Sequence, residues 1–193
     1  MIYHQGEGYT KILGEGYKIV DCEGVDLQDS ENLKILEGIV TPAKKIRGDV
    51  ISKSLEIEFY LNEIIGLFFM GDNKKQRDVF NECILQKEFF TFGQKVKVLN
   101  FLLTNCSEKF HINSTNDRKA IITLIQNVME RRNKFAHEEI IVNFKERTAS
   151  IFDNEHNNLL SPQSLLEFEQ QITDFSITQM RLEVNLMIEI TKQ

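Results

Sequence analysis

The sequence has little of several residue types that mark particular classes of protein. It contains no tryptophan, only two prolines and only three cysteines. Cys22, Cys83 and Cys106 are odd in number, lie far apart and form no CxxC pair, which fits reduced thiols better than disulfides or zinc ligands. No apolar run approaches the roughly 18 residues of a membrane span, so we expect no membrane partner. The first residues lack the pattern of a signal peptide, so we expect a cytoplasmic protein.

The chain also contains fewer positively charged than negatively charged residues. The chain has 23 Lys and Arg against 29 Asp and Glu, which gives a formal net charge of -6. This balance disfavours a general nucleic-acid coat protein, but it does not exclude a small basic cleft. His4, His111 and His156 lie in predicted loops or arms without partners at metal-ligand spacing. We therefore expect no metal and no cofactor.

The hydrophobic pattern is mostly helical. It predicts helices over Glu31–Met70 and Gln76–Leu85, with Pro42 breaking the first or starting a new one. Asp117 is expected to cap a helix that runs to Phe135, and Pro162 to open the last helix. We therefore expect a mostly all-α chain that forms an antiparallel helical bundle.

Two short segments have the alternation of β-strands instead. "IIVNFKERTASIFD" from Ile140 to Asp153 predicts a small hairpin directly after the helix that ends near Phe135. "GEGYTKI" and "GEGYKIV" predict an N-terminal hairpin that turns at Gly14-Glu15-Gly16. These glycines lack the third glycine or the GK[ST] of a phosphate-binding loop. We divide the chain into an N-terminal arm or hairpin, residues 1–30, and a helical domain, residues 31–193.

The stretch "ERRNKFAHEE" ends the helix that begins near Asp117. In that helix Ile121, Ile125 and Val128 step by four and three residues, and the next positions of the series are Arg132 and Phe135. Phe135 is therefore expected in the core, and Arg132 falls on the apolar face. A charged side chain there is costly unless it meets a partner, a cleft or another subunit.

Two polar residues follow Arg132 on another face of the same helix. Asn133 and His137 are four residues apart and so share a face, whereas Arg132 and His137 are separated by roughly 140° on a straight helix. Arg132 and His137 could converge if the helix ends or distorts near His137. Alternatively, two copies of the chain could meet across a twofold axis and combine their side chains.

A purely structural interpretation stays open beside the interpretation as a site. Arg131, Arg132 and Lys134 lie near a helix C-terminus, where the macrodipole favours cations. A single histidine such as His137 is commonly a capping group at such an end.

The segment "RNKFAH", Arg132 to His137, resembles the signature of the HEPN superfamily (higher eukaryotes and prokaryotes nucleotide-binding). That signature is an arginine, usually followed by a polar residue, and a histidine a few residues later at the end of a late helix. Residues Arg47–Ile65 are similar to the early helix of the family, with Glu58 at the position of its acidic residue. Residues Phe90–Leu99 resemble a segment of several bacterial branches.

The resemblance implies a HEPN-like domain over residues 31–193 and a metal-independent endoribonuclease. Many members of the family are toxins or phage-defence effectors that act as dimers. The presence of Arg132, Asn133 and His137 together favours this group. RNA, a second copy of the chain and an antitoxin or other regulatory protein are then the expected partners. The alternative is a non-catalytic HEPN-like or mannitol-operon-repressor-like helical module that regulates or binds other molecules.

The residue types fit cleavage of RNA by its own 2′-hydroxyl. His137 is suited to moving protons near neutral pH, and Arg132 offers a planar cation for the charge of the phosphorane. Asn133 could orient His137 or bind a phosphate oxygen. These three residues are the predicted catalytic set.

Three further residues have predicted supporting roles. Glu58 could hold Arg132 in place or tune His137, although an ordinary carboxylate at the core edge fits equally well. Arg131 and Lys134 could contact the RNA backbone, or they could be solvated charges at a helix end.

Overall fold

The computed structural model describes residues 3–6, 9–12, 17–22, 24–112, 114–153 and 156–192. Within these ranges the chain is mostly helical, which confirms the expected class. The α-helices are α1 Ser30–Met70, α2 Lys74–Phe80, α3 Phe92–Asn105, α4 Thr115–His137 and α5 Pro162–Thr191. A π-helical turn, Asn81–Leu85, continues α2, and a 3-10 turn, Ser107–Phe110, follows α3. None of the described helices combines the length and the apolar character that crossing a bilayer requires.

The first helix is continuous through Pro42, so the prediction that Pro42 breaks it or starts a new helix is wrong. A proline inside a helix removes the hydrogen bond to the carbonyl four residues earlier, which here belongs to Gly38. Both Pro42 and Gly38 are exposed, so that carbonyl is on the solvent side of the helix. Packing along the whole buried face of α1 outweighs the loss of one solvated bond.

Five strands form one sheet in the described part of the chain, in the order β1 Tyr3–Gly6, β2 Tyr9–Ile12, β3 Tyr17–Val20, β4 Ile140–Asn143 and β5 Thr148–Ser150. β1, β2 and β3 pair antiparallel in sequence order, and β4 pairs antiparallel with β5. β3 and β4 pair in parallel, a contact that the sequence did not predict. The predicted turn at Gly14-Glu15-Gly16 lies outside the described residues.

The chain divides by its internal contacts into two units, and the boundaries fall inside helices. Unit 1 comprises residues 1–51 and 132–167, and unit 2 comprises residues 52–131 and 168–193. The predicted N-terminal arm or hairpin, residues 1–30, and helical domain, residues 31–193, stay a prediction. Most of the predicted site, from Arg132 onward, belongs to unit 1.

In unit 2, α1 and α5 are neighbours that run in the same direction. The Lys53 ammonium pairs with the Glu169 carboxylate, and farther along both helices the rings of Tyr60 and Phe175 lie 6.5 Å apart. The long connection between α1 and α5 makes this parallel pairing feasible. The antiparallel bundle that we expected stays a prediction.

The π-helical turn is joined to α1 in unit 2 by a buried asparagine. Asn81 Nδ2 donates a hydrogen bond to Glu63 Oε1 at 3.0 Å. The other amide atom, Oδ1, is buried without a hydrogen-bond partner in the described part of the chain. It lies only 3.2 Å from where a Cβ on Gly66 would be. Gly66 therefore leaves the space in which the turn packs on α1.

Gly66→Ala and Gly48→Ala should change stability in opposite directions. An ideal Cβ on the exposed Gly48 meets nothing within 4 Å, so alanine should raise the free energy of unfolding by about 0.5–1 kcal/mol through its higher helix propensity. Gly66→Ala should lower it by about 1 kcal/mol, because the Asn81 amide has to move. Urea unfolding of both variants measures the difference. An equal gain from both substitutions would show that the Asn81 amide moves without cost.

Candidate functional site

The predicted catalytic residues lie in the last turns of α4. The helix begins at Thr115, two residues before the predicted cap Asp117, where Ser114 Oγ accepts a hydrogen bond from the Asn116 amide at 3.1 Å. It ends at His137 rather than at Phe135, so the helix extends three residues farther than predicted at its start and two residues farther at its end. His137 therefore belongs to the same continuous helix as Arg132.

The buried face of α4 has the predicted spacing. Ile121, Ile125, Val128 and Phe135 are buried, and Arg132 occupies the position between the last two. The Arg132 side chain is half-buried. An apolar side chain could be buried at this position without cost, whereas a buried guanidinium requires hydrogen-bond acceptors.

The Arg132 guanidinium is only partly satisfied. Its Nη1 donates to Asn133 Oδ1 at 3.1 Å, and its Nε is buried without a hydrogen-bond partner in the described ranges. An unsatisfied buried donor costs roughly 1–3 kcal/mol, so a bound acceptor would be favoured there. Arg132 thus keeps hydrogen-bonding capacity that the described chain does not use.

Asn133 and His137 are both exposed and share one face of α4. Because the helix is continuous, Arg132 and His137 remain roughly 140° apart around its axis. Asn133 lies between them in projection and is hydrogen-bonded to Arg132. The helix ends at His137 itself, and both the convergence of Arg132 and His137 at this end and the combination of two copies stay predictions.

The two predicted RNA-binding residues already have partners within the chain. The Lys134 ammonium lies 3.7 Å from the Glu138 carboxylate, one turn later in the sequence. In unit 2, the Arg131 guanidinium lies over the ring of Phe168, 5.5 Å from its centre. Both are weak, solvent-accessible interactions that an RNA phosphate could replace.

Glu58 has a partner in unit 2 that the sequence analysis did not single out. Its Oε1 accepts a hydrogen bond from Lys95 Nζ at 2.6 Å, and Lys95 is only 3% exposed. The spacing of α3 contained this information, because Lys95 follows Phe92 by three residues and precedes Leu99 by four on the buried face. The supporting role of Glu58 towards Arg132 or His137 stays a prediction.

A second arginine in unit 1 was missed. Arg47 interrupts the buried series Leu36, Val40, Ala43 and Val50 of α1, which steps by four and three residues. Its Nη2 donates to the backbone carbonyl of Glu138, the first residue after α4. Its Nε is buried without a hydrogen-bond partner in the described part of the chain. Burial lowers the pKa of the Arg47 guanidinium, which nevertheless stays charged near neutral pH.

The Arg47 contact anchors the turn that carries His137. The last carbonyls of a helix have no partner within the helix, so a cation that donates to one of them stabilises that end. The same interrupted series could have been recognised in the sequence, by extending the apolar spacing back from Val50 to Leu36. Nothing in the sequence indicated which acceptor Arg47 would find.

Two other kinds of site have no support in the described residues. No group of three or more His, Cys, Asp or Glu side chains is arranged there to hold a metal ion. The three cysteines, all within the described ranges, form no disulfide.

No family model, no curated protein and no solved structure matches this chain.

Removing Glu58 should destabilise the fold, whatever the chain does with RNA. Glu58→Ala leaves the Lys95 ammonium buried without its acceptor, which typically costs about 3–5 kcal/mol. Replacing both partners by apolar residues, Glu58→Leu with Lys95→Met, should restore most of that loss. Chemical unfolding of the single and double variants measures it. If Glu58→Ala unfolds at the same urea concentration as wild type, the pair does not support the fold.

Proposed function

We propose that this chain is a metal-independent endoribonuclease of the HEPN type, with Arg132, Asn133 and His137 as its catalytic residues. The main support is the state of Arg132, a half-buried guanidinium on an apolar helix face with a buried Nε that lacks an acceptor. Such a group is poorly explained as a structural charge, because a helix-end cation stabilises equally well from the exposed face. It is well suited to binding an anion.

The reaction is transesterification within the RNA. The 2′-hydroxyl oxygen forms a bond to the adjacent phosphorus while the bond from phosphorus to the 5′-oxygen breaks. His137 takes the proton of the 2′-hydroxyl or supplies one to the leaving 5′-oxygen. Arg132 stabilises the extra negative charge of the phosphorane. The products are a 2′,3′-cyclic phosphate and a 5′-hydroxyl.

The proposal includes two copies of the chain at one site. Arg132 and His137 project from a single helix in directions roughly 140° apart, which makes it difficult for one copy to place both at the same phosphate. A twofold axis near the end of α4 would supply Arg132 and His137 from both copies. It would also provide one histidine as base and the other as acid.

The biological setting of the proposal follows from the resemblance. The enzyme would be a cytoplasmic toxin or defence effector, held inactive by an antitoxin or another regulatory protein. Its helices would form the antiparallel bundle of that family, with a hairpin made by β4 and β5 after the motif helix. The mostly helical composition is compatible with this arrangement.

A non-catalytic helical regulator is the second candidate. The net charge of -6 and the intramolecular partners of Arg131 and Lys134 favour it, because both reduce attraction to RNA. A regulator would bind its partner through another surface, and substitutions of Arg132 or His137 would leave that binding unchanged.

The purified protein should cut single-stranded RNA in the presence of a metal chelator. The nucleophile comes from the RNA, so chelation should leave the rate nearly unchanged, and the corresponding DNA should remain intact. The 3′ ends should be 2′,3′-cyclic phosphates, which mass spectrometry of the fragments identifies. Cleavage of DNA, or loss of activity with chelator, would contradict this mechanism.

His137→Ala and Arg132→Ala should abolish cleavage without unfolding the protein. Loss of a general acid–base group lowers the rate by about 10²-fold or more. Arg132→Lys should rescue poorly, since an ammonium cannot reproduce the planar fork. Arg118→Ala, in the first turns of the same helix, is the matched control and should cleave like wild type.

Thermal melting of the same variants separates the two candidate functions. Arg132→Ala should melt at or above the wild-type temperature, because it removes a partly unsatisfied charge from an apolar face. A wild-type protein that never cleaves RNA, together with early melting of Arg132→Ala and His137→Ala, would mean that the segment is a structural helix end.

A further inference from the structure

The outward face of α5 carries a second apolar stripe, opposite the face that the helix buries. The buried face contains Phe168, Phe175, Leu182 and Leu186. On the other side, exposed positions recur at alternating intervals of three and four residues. We call these positions the outer stripe: Gln170, Thr173, Ile177, Met180, Val184, Met187 and Thr191.

The centre of the outer stripe is apolar and open to solvent. Ile177 and Met180 are each 65% exposed, and Val184 and Met187 continue the series. A helix that is apolar on two opposite faces is normally buried on both. Contiguous exposed apolar side chains of this kind mark an interaction surface.

The spacing of the outer stripe is compatible with a second helix as its partner. Steps that alternate between three and four residues average 3.5, the repeat that keeps one seam of a helix against a second helix in a left-handed coiled coil. The stripe from Gln170 to Thr191 is roughly 32 Å long, which is long enough for six interlocking layers.

We propose that the outer stripe of α5 pairs antiparallel with the outer stripe of a second copy of this chain, with Ile177 packed against the partner's Met180. A twofold axis then passes between residues 178 and 179. Each contact occurs twice, as in any pairing of one surface with itself. The flanking layers join Val184 to the partner's Thr173 and Met187 to the partner's Gln170.

Charge complementarity selects this register. In an antiparallel coiled coil, equivalent flanking positions of the two helices face each other across the seam. Arg181 and Asp174, both exposed, then lie opposite one another in each half of the pair. A shift that sets Met180 against the partner's Val184 would instead place Arg181 opposite the partner's Arg181.

Charge also disfavours the parallel arrangement. In a parallel pair, the position before one layer of a helix faces the position after the next layer of the partner helix. Glu169 would then lie beside the partner's Asp174, which brings a second carboxylate next to the Glu169–Lys53 ion pair. Like charges at these positions are a common way of rejecting a register or an orientation.

The first experiment measures association without RNA. Sedimentation of the wild-type protein at tens of micromolar should give about twice the chain mass of 22.5 kDa. Met180→Glu should weaken association by about 10³-fold, because the substitution enters two equivalent layers. Phe101→Glu is the matched control, since Phe101 is an apolar side chain of α3 that is 63% exposed. It should leave the dimer intact.

A folding control and two outcomes decide whether the outer stripe forms the dimer. Circular dichroism should show the same helicity for wild type, Met180→Glu and Phe101→Glu. A monomeric wild-type protein, or a Met180→Glu variant that remains dimeric, would overturn the proposal.

The second experiment tests the register by disulfide cross-linking. The three native cysteines are replaced by alanine, and pairs of single-cysteine variants are mixed and oxidised. Thr173→Cys mixed with Val184→Cys should cross-link efficiently, and Met180→Cys mixed with Val184→Cys should not. The reverse result would overturn the register. Neither experiment uses RNA, so a dimer through α5 that cleaves no RNA would contradict only the proposed function.

Discussion

The main constraint in this protein is that three helices each carry a cation at a position of their buried apolar face. Arg47 in α1, Lys95 in α3 and Arg132 in α4 each occupy a position where the spacing of the neighbouring apolar residues would place another apolar side chain. Burying a cation without an acceptor costs several kcal/mol, so each of these positions determines what must lie next to it. Lys95 is paired with the carboxylate of Glu58, and that pair is explained by the fold alone.

The two arginines differ from Lys95, because neither has a carboxylate acceptor in the described part of the chain. In the described part of the chain, Arg47 donates to a backbone carbonyl and Arg132 to an amide oxygen, both of them neutral acceptors. Each arginine also retains a buried Nε without a partner. Under the proposed function, Arg132 would stabilise the anionic transition state, since its charge is not neutralised by a carboxylate. Arg47 contributes by holding the turn that follows His137.

A second constraint arises from α5, which is apolar on both faces over its C-terminal part. One face is buried in unit 2, and the outer stripe remains exposed. Self-association through this stripe would bring two copies of the chain together before any RNA binds. The catalytic proposal also needs two copies, because Arg132 and His137 diverge on one helix, but it requires a twofold axis near the end of α4. Each inference can therefore fail alone.

The sequence by itself determined the features that depend on neighbours along the chain. The periodic spacing of α4 placed Arg132 on a buried face and Phe135 in the core, and Ser161-Pro162 marked the start of α5. Only the tertiary structure decided the parallel pairing of β3 with β4, the continuity of α1 through Pro42, and the acceptors of Lys95 and Arg47. These depend on contacts between residues far apart in the chain, whose energies outweigh local propensity and leave no periodic signal in the sequence.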